Sequence, residues 1–315
     1  MKKKVLGAVI LCIAIASLSA CSFVALPQNN SSTQSESTAV STDGGSSTQS
    51  ENGLESDSVT DSQSTEPNSS TESSEEESST AIDSAAEQAE VTQDGVVYTL
   101  AESEAEYTVT GYEGTDTQVT IAGEINGLPV TVIGYKAFFE QRTLTKISIP
   151  DSVSVIGDYA FSHCESITEL VLLDSVTDIG ENCFAHCHRL TSVVIGNGIT
   201  ELDAWAFYYC HALTSVVIGD NVTEIHAGVF QECFNLESIV LGTGVLDIEG
   251  GAFGFCNALS SVYYKGGSRE WAEINTGMNT ELTMAKRYYY VEDEEDLPIS
   301  GNYWHYDEKG NIAVW

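Results

Sequence analysis

The sequence predicts a β-rich, α/β-like solenoid of about six coils, capped at both ends and preceded by a long disordered stalk. Three observations predict it. An apolar residue recurs every 23 positions, at Ile133, Ile156, Ile179, Leu202, Ile225 and Ile248. A phenylalanine follows each five places later, at Phe138, Phe161, Phe184, Phe207, Phe230 and Phe253. Residues 22–90 are rich in Ser, Thr, Glu, Gln and Asp, with almost no aromatic side chains. A repeat of 20 to 50 residues means supersecondary units that bury their apolar faces only against one another.

Residues 1–20 read as an export signal. Lys2, Lys3 and Lys4 precede an apolar run from Val5 to Ala16, which is too short to span a bilayer. The following Leu18-Ser-Ala-Cys21 resembles the lipobox of bacterial lipoproteins. That resemblance implies lipidation of Cys21 and a membrane partner through the N-terminal lipid. Residues 21–90 then form a stalk that cannot bury enough apolar surface to offset its ordering entropy. No Lys or Arg occurs between Lys4 and Lys136 while acids such as Glu75, Glu76 and Glu77 accumulate, so self-repulsion stretches the chain.

Residues 91–315 carry nearly all the large apolar side chains. An N-terminal cap is expected over 91–132, where Gly95–Leu100 and Tyr107–Tyr112 alternate like two strands. The solenoid proper is expected over 133–265. In the unit Leu213 to Cys233, Val216 and Ile218 alternate with Ser215 and Val217, the period of two of a strand with one face inward. Gly219, Asp220 and Asn221 supply turn chemistry, and Val222 and Ile225 return to the core. The segment around Phe230 is long enough for about one helical turn. A C-terminal cap is expected over 266–315, with Ser268 as the N-cap of a short helix holding Trp271 and Ile274, and a closing strand at Tyr288-Tyr289-Tyr290.

The first complete unit, Leu144-Thr-Lys-Ile147-Ser-Ile149-Pro150 through Val153, Ile156-Gly157, Ala160-Phe161 and Cys164, resembles the leucine-rich repeat of BspA-type bacterial surface proteins. The resemblance covers about 91–315. It implies a leucine-rich repeat solenoid and an exported, surface-attached protein that binds other proteins, and it brings no catalytic residues. Later units place Leu173, Gly196, Gly219 and Gly242 where the first has Pro150, altering the turn and leaving the columns intact.

The formal charge of −35 argues against a nucleic-acid partner, because phosphate binding requires clustered Lys and Arg. No phosphate-cradling glycine loop and no nucleophile elbow occurs, and neither an enzyme nor a cofactor is expected. Cys164, Cys187, Cys210, Cys233 and Cys256 form one column, and Cys183 sits in a column of small residues. Buried thiols suit such columns as small hydrophobes, so they are expected to be free. His186-Cys187-His188, with Cys183 and His163 nearby, has zinc-ligand chemistry, but the register already assigns both cysteines to packing.

Two outward columns remain. Asp178, Glu201, Glu224 and Asp247 stack like charges at strand spacing; the row is read as a solvated acidic edge with no metal expected, the sharper alternative being an oxygen-rich row that holds calcium. On the main strand, Val171, Val194, Val217, Val240 and Tyr263 continue an outward line, flanked by Ser192, Ser215 and Ser238. Such an apolar stripe marks an interaction surface, and solenoids bind along extended sheets. The expectation is a lipid-anchored protein at the bacterial surface that binds a protein or glycoprotein of host or neighbouring cells through this stripe. The alternative is a carbohydrate- or choline-binding protein using the aromatics from Tyr303 to Trp315.

Overall fold

A computed structural model of the protein describes residues 90–315 apart from residue 299. The expected signal, Cys21 and the stalk up to residue 89 lie outside the described residues. The N-terminal cap contains β1 (Glu90–Gln93), β2 (Val96–Leu100), β3 (Tyr107–Tyr112), β4 (Gln118–Thr120), β5 (Glu124–Ile125) and β6 (Leu128–Ile133). The two strands expected from alternation are β2 and β3, an antiparallel pair. Each coil then alternates a longer strand with a two-residue one: β7 (Lys146–Ser148) and β8 (Val155–Ile156), β9 (Glu169–Leu172) and β10 (Asp178–Ile179), β11 (Ser192–Ile195) and β12 (Glu201–Leu202). The series continues with β13 (Ser215–Val217) and β14 (Glu224–Ile225), β15 (Ser238–Leu241) and β16 (Asp247–Ile248), and ends in β17 (Ser261–Tyr264).

The longer strands β9, β11, β13, β15 and β17 pair in parallel, in steps of one repeat, so that Val193 faces Leu170 on one side and Val216 on the other. Their alternate residues enter the core. Leu170, Val193, Val216, Ile239 and Val262 are buried, as are the six columnar residues from Ile133 to Ile248. The six phenylalanines are fully buried and stack with centroids 5.0 to 5.4 Å apart. Each such ring contributes roughly 1.5–3 kcal/mol through burial alone.

The phenylalanine segment is a set of tight turns. In every coil two residues are left-handed and in register, for example Asn182 (φ 54) and His186 (φ 62), then Trp205 (φ 58) and Tyr209 (φ 62). This conformation lets the Phe N–H reach the following coil: Phe161 donates to the Cys183 carbonyl at 2.8 Å and Phe184 to that of Ala206 at 2.8 Å. Cysteine closes the same turn from inside. The thiols of Cys164, Cys187, Cys210, Cys233 and Cys256 each donate to the carbonyl of the preceding coil's phenylalanine, at 3.1 to 3.5 Å. All six described cysteines are free and buried. In the first coil Gln141 takes the place of cysteine, and its Nε2 donates to Tyr112 in β3 at 3.3 Å, tying the cap to the repeats.

At the other end the pattern must stop. Phe253 has no further coil to bond, and the buried side chain of Asn279 substitutes for one, its Oδ1 accepting the Phe253 N–H at 3.0 Å. The Asn279 amide also donates to the carbonyls of Glu249 and Thr276, both at 2.8 Å. Asn279 immediately precedes α2 (Thr280–Met284), itself preceded by α1 (Ser268–Glu273). Ser268 is the first helical residue of α1 rather than its cap; Gly267 occupies that place and no side chain caps the helix. The sheet then continues through β18 (Lys286–Tyr290) and β19 (Tyr303–Tyr306), both parallel, to the antiparallel β20 (Ile312–Val314).

Candidate functional site

The outward stripe is open at one end and covered at the other. Val171 is 40% exposed, and Val194 and Val217 are half-buried together with Ser192 and Ser215. Val240, Tyr263 and Ser238 are buried, which corrects the expectation of a continuous exposed line. The reason lies in the C-terminal cap, whose own outward residues close over that part of the sheet. Val240, Tyr263, Tyr288, Trp304 and Ile312 form a second apolar cluster, with Val217, Tyr290 and Tyr306 packed against it.

Trp304 is the centre of this cluster. Its ring meets Tyr263 edge-on at 5.7 Å and Tyr290 at 5.1 Å, and its Nε1 donates to the Tyr264 carbonyl at 3.0 Å. Burial, with the charge of Asp220 adding to it, pushes the Tyr306 phenol up to about 12. Asp220 is in turn held by Lys265, whose Nζ lies 3.0 Å away. The aromatics around Trp304 are therefore a packed wall: Trp304 is fully buried and has no free face for a sugar or choline ligand, whereas Trp315 is 41% exposed. Beside the wall, a cavity of about 260 Å³ is lined by Arg269, Glu270, Tyr289, Tyr290 and Tyr303, among others.

Three of the four residues expected in the second outward column share one ladder. Glu201, Glu224 and Asp247 are opposite one another in the β12–β14–β16 ladder, whereas Asp178 pairs with Val155 in the neighbouring sheet. A residue that the repeat pattern did not single out sits among them. His226 follows Glu224 by two positions and places Nε2 3.8 Å from Glu201 Oε2, and Nδ1 3.7 Å from Glu224 Oε1 and 3.4 Å from Glu249 Oε1. Burial alone lowers the His226 pKa, but the Glu249 hydrogen bond and the charges of Glu224, Glu249 and Asp203 outweigh it and raise the pKa above 6.5. The available signal was parity: the alternation of β14 runs one residue past its end, with Ile225 buried between the half-buried Glu224 and His226, and residues two apart on an extended chain share one face.

The zinc-like sequence His186-Cys187-His188 separates by chemistry. Cys183 and Cys187 are buried in the core, where burial raises both thiols well above their ordinary range. The imidazoles are half-buried at the surface and stack on each other: His163 on His186 at 4.3 Å, and His188 on His211 at 5.1 Å. Nitrogen and sulfur donors do not converge there.

Parallel coils of one fixed length, each closed by an inward phenylalanine and a buried polar or thiol contact, define a leucine-rich repeat solenoid. Residues 131–260 match the BspA type leucine rich repeat region in six copies. A leucine-rich repeat protein of T. pallidum has a similar structure, with a TM-score of 0.52 and 29% identity over 57% of this chain and 87% of that one. A leucine-rich repeat protein of Eubacterium ventriosum ATCC 27560 has a TM-score of 0.50 and 20% identity over 71% of this chain. The match covers 54% of that second protein, about half its length. Among curated proteins, none matches the chain.

Proposed function

We propose that the chain is a bacterial surface protein, lipid-anchored through Cys21 and held away from the membrane by its acidic stalk, that binds a protein or glycoprotein of host or neighbouring cells. It acts by binding and not by catalysis. The observation that carries the reading is the open end of the outward stripe, where Val171 is 40% exposed and Val194 and Val217 are half-buried on a parallel sheet, an apolar stripe of the kind that interfaces use. The six BspA-type repeats support the surface assignment. The test is retention of biotinylated host and bacterial surface glycoproteins by the wild-type chain and by the Val171→Glu/Val194→Glu variant. Loss of retention with an unchanged melting curve is the expected result, and equal retention by the variant overturns the reading.

A second reading places a carbohydrate or choline ligand at the C-terminal segment, and rests on the tyrosine-lined cavity beside Arg269 and Glu270. A glycan array distinguishes the two: sugar binding abolished by Tyr289→Ala and untouched by Val171→Glu favours the cavity.

A further inference from the structure

We propose that Glu201, Glu224 and His226 form a binding site for a divalent transition-metal ion of the zinc class. One ligand atom from each of the three can be chosen so that all lie within 4.8 Å of one another. A tetrahedral ion with bonds near 2.1 Å needs ligand atoms about 3.4 Å apart. His226 Nε2 already stands 3.8 Å from Glu201 Oε2, whereas Glu224 Oε1 lies 3.7 Å from Nδ1, so closing the set on Nε2 takes a rotation of the partly exposed Glu224 side chain towards it.

The backbone fixes the geometry. Glu201 and Glu224 are direct partners in the parallel β12–β14 ladder, and the His226 N–H donates to Leu202 at 3.0 Å, which holds the imidazole over the same two coils. Like charges facing each other across a ladder are unfavourable. Here Glu224 has an acid on both sides, Glu201 and Asp247, and a bound cation relieves that repulsion.

Glu249 supplies the outer support. One of its oxygens accepts the Ala227 N–H at 2.8 Å, and the other faces His226 Nδ1 at 3.4 Å. A carboxylate that takes the Nδ1 proton leaves the Nε2 lone pair for the metal, the arrangement in which histidine ligands are normally oriented. The nitrogen donor also selects the ion. Imidazole suits zinc, copper or nickel, whereas calcium takes oxygen ligands alone. Three protein ligands leave a fourth position for water or for a group on a bound partner.

The competing state of the same residues is an imidazolium held by three carboxylates with no metal. Titration calorimetry of the intact chain, produced without an oligohistidine tag and stripped with chelator, separates the two. With zinc chloride at pH 7.5, one equivalent is expected to bind and raise the melting temperature, with calcium chloride at least 100-fold weaker. His226→Ala and Glu224→Gln should each remove this binding, and Glu249→Gln should weaken it about 10- to 100-fold. His186→Gln/His188→Gln should bind as wild type does.

Absence of zinc uptake by the wild type, uptake unchanged in His226→Ala, or loss of uptake in the His186/His188 variant each overturns the proposal. If the substitutions unfold the chain, the imidazole resonances of the wild type decide it: zinc must shift those of His226 and leave those of His186 and His188 in place, and the reverse pattern refutes the site.

Discussion

Trp304, 40 residues beyond Tyr264 in the chain, seals the outward face by donating its indole N–H to the Tyr264 carbonyl at 3.0 Å and laying its ring edge-on against Tyr263 at 5.7 Å. Trp304→Ala removes the centre of the cluster that holds Val240, Tyr288 and Ile312. A buried tryptophan truncated to alanine costs about 3–5 kcal/mol. Urea unfolding should show that loss, and a hydrophobic dye should bind the uncovered stripe. An unchanged midpoint with no dye binding contradicts the packing described.

Asn279 stands in for a seventh coil. Asn279→Ala leaves the Phe253 N–H without its acceptor and orphans the carbonyls of Glu249 and Thr276. A buried group left unpaired costs about 1–3 kcal/mol. In a repeat array that cost is local, so hydrogen exchange should quicken at Phe253 and its neighbours while amides near Phe161 keep their protection. Uniform loss along the array contradicts a local cap.

The imidazole stack gives the protein a signed pH dependence. Burial, followed by the neighbouring imidazoles, lowers the pKa of His186 and His211 below 6.5, with Glu232 opposing. A base whose folded pKa is depressed takes its proton more readily when unfolded, so its contribution is full above pH 6.5 and is lost as pH falls from 6.5 towards the folded value. His186→Asn, chosen because asparagine tolerates the left-handed backbone at this position, should therefore gain stability relative to wild type between pH 7.5 and 5.5. A constant difference across that range contradicts the stack.

Cysteine chemistry should be silent in the folded protein. Burial pushes Cys164 and Cys256 up to about 12 and Cys183, Cys187 and Cys233 well above 9.0, and reactivity follows the thiolate. Iodoacetamide mapping at pH 8 should label none of the six described cysteines natively, and all six after unfolding without reductant. Native labelling of Cys210 or incomplete labelling after unfolding contradicts free core thiols.

The columns were legible because every unit repeats them: Phe184, Cys187 and Val193 each lie between equivalents one period away on either side, and the structure stacks them in that register. Legibility ended where repetition did. The residues that bury Val240 and Tyr263 lie at 288–312, after the last repeat, and alternation within one strand says which face a side chain takes, not what later segment covers it. His226 is illegible in the repeat for the same reason in reverse. Its column otherwise reads Gly134, Gly157, Gly180, Asp203 and Glu249, so no repeated histidine announced it, and its chemistry comes from Glu201 and Glu249 on adjacent coils.

The central claim is that ligand meets the open end of the outward sheet. A photo-cross-linking side chain placed singly at Val171, Val194, Glu201 and Trp315 tests it against the same surface-glycoprotein extracts. The account predicts covalent adducts from positions 171 and 194 and none from 201 or 315. Adducts confined to 201 or 315 would contradict it.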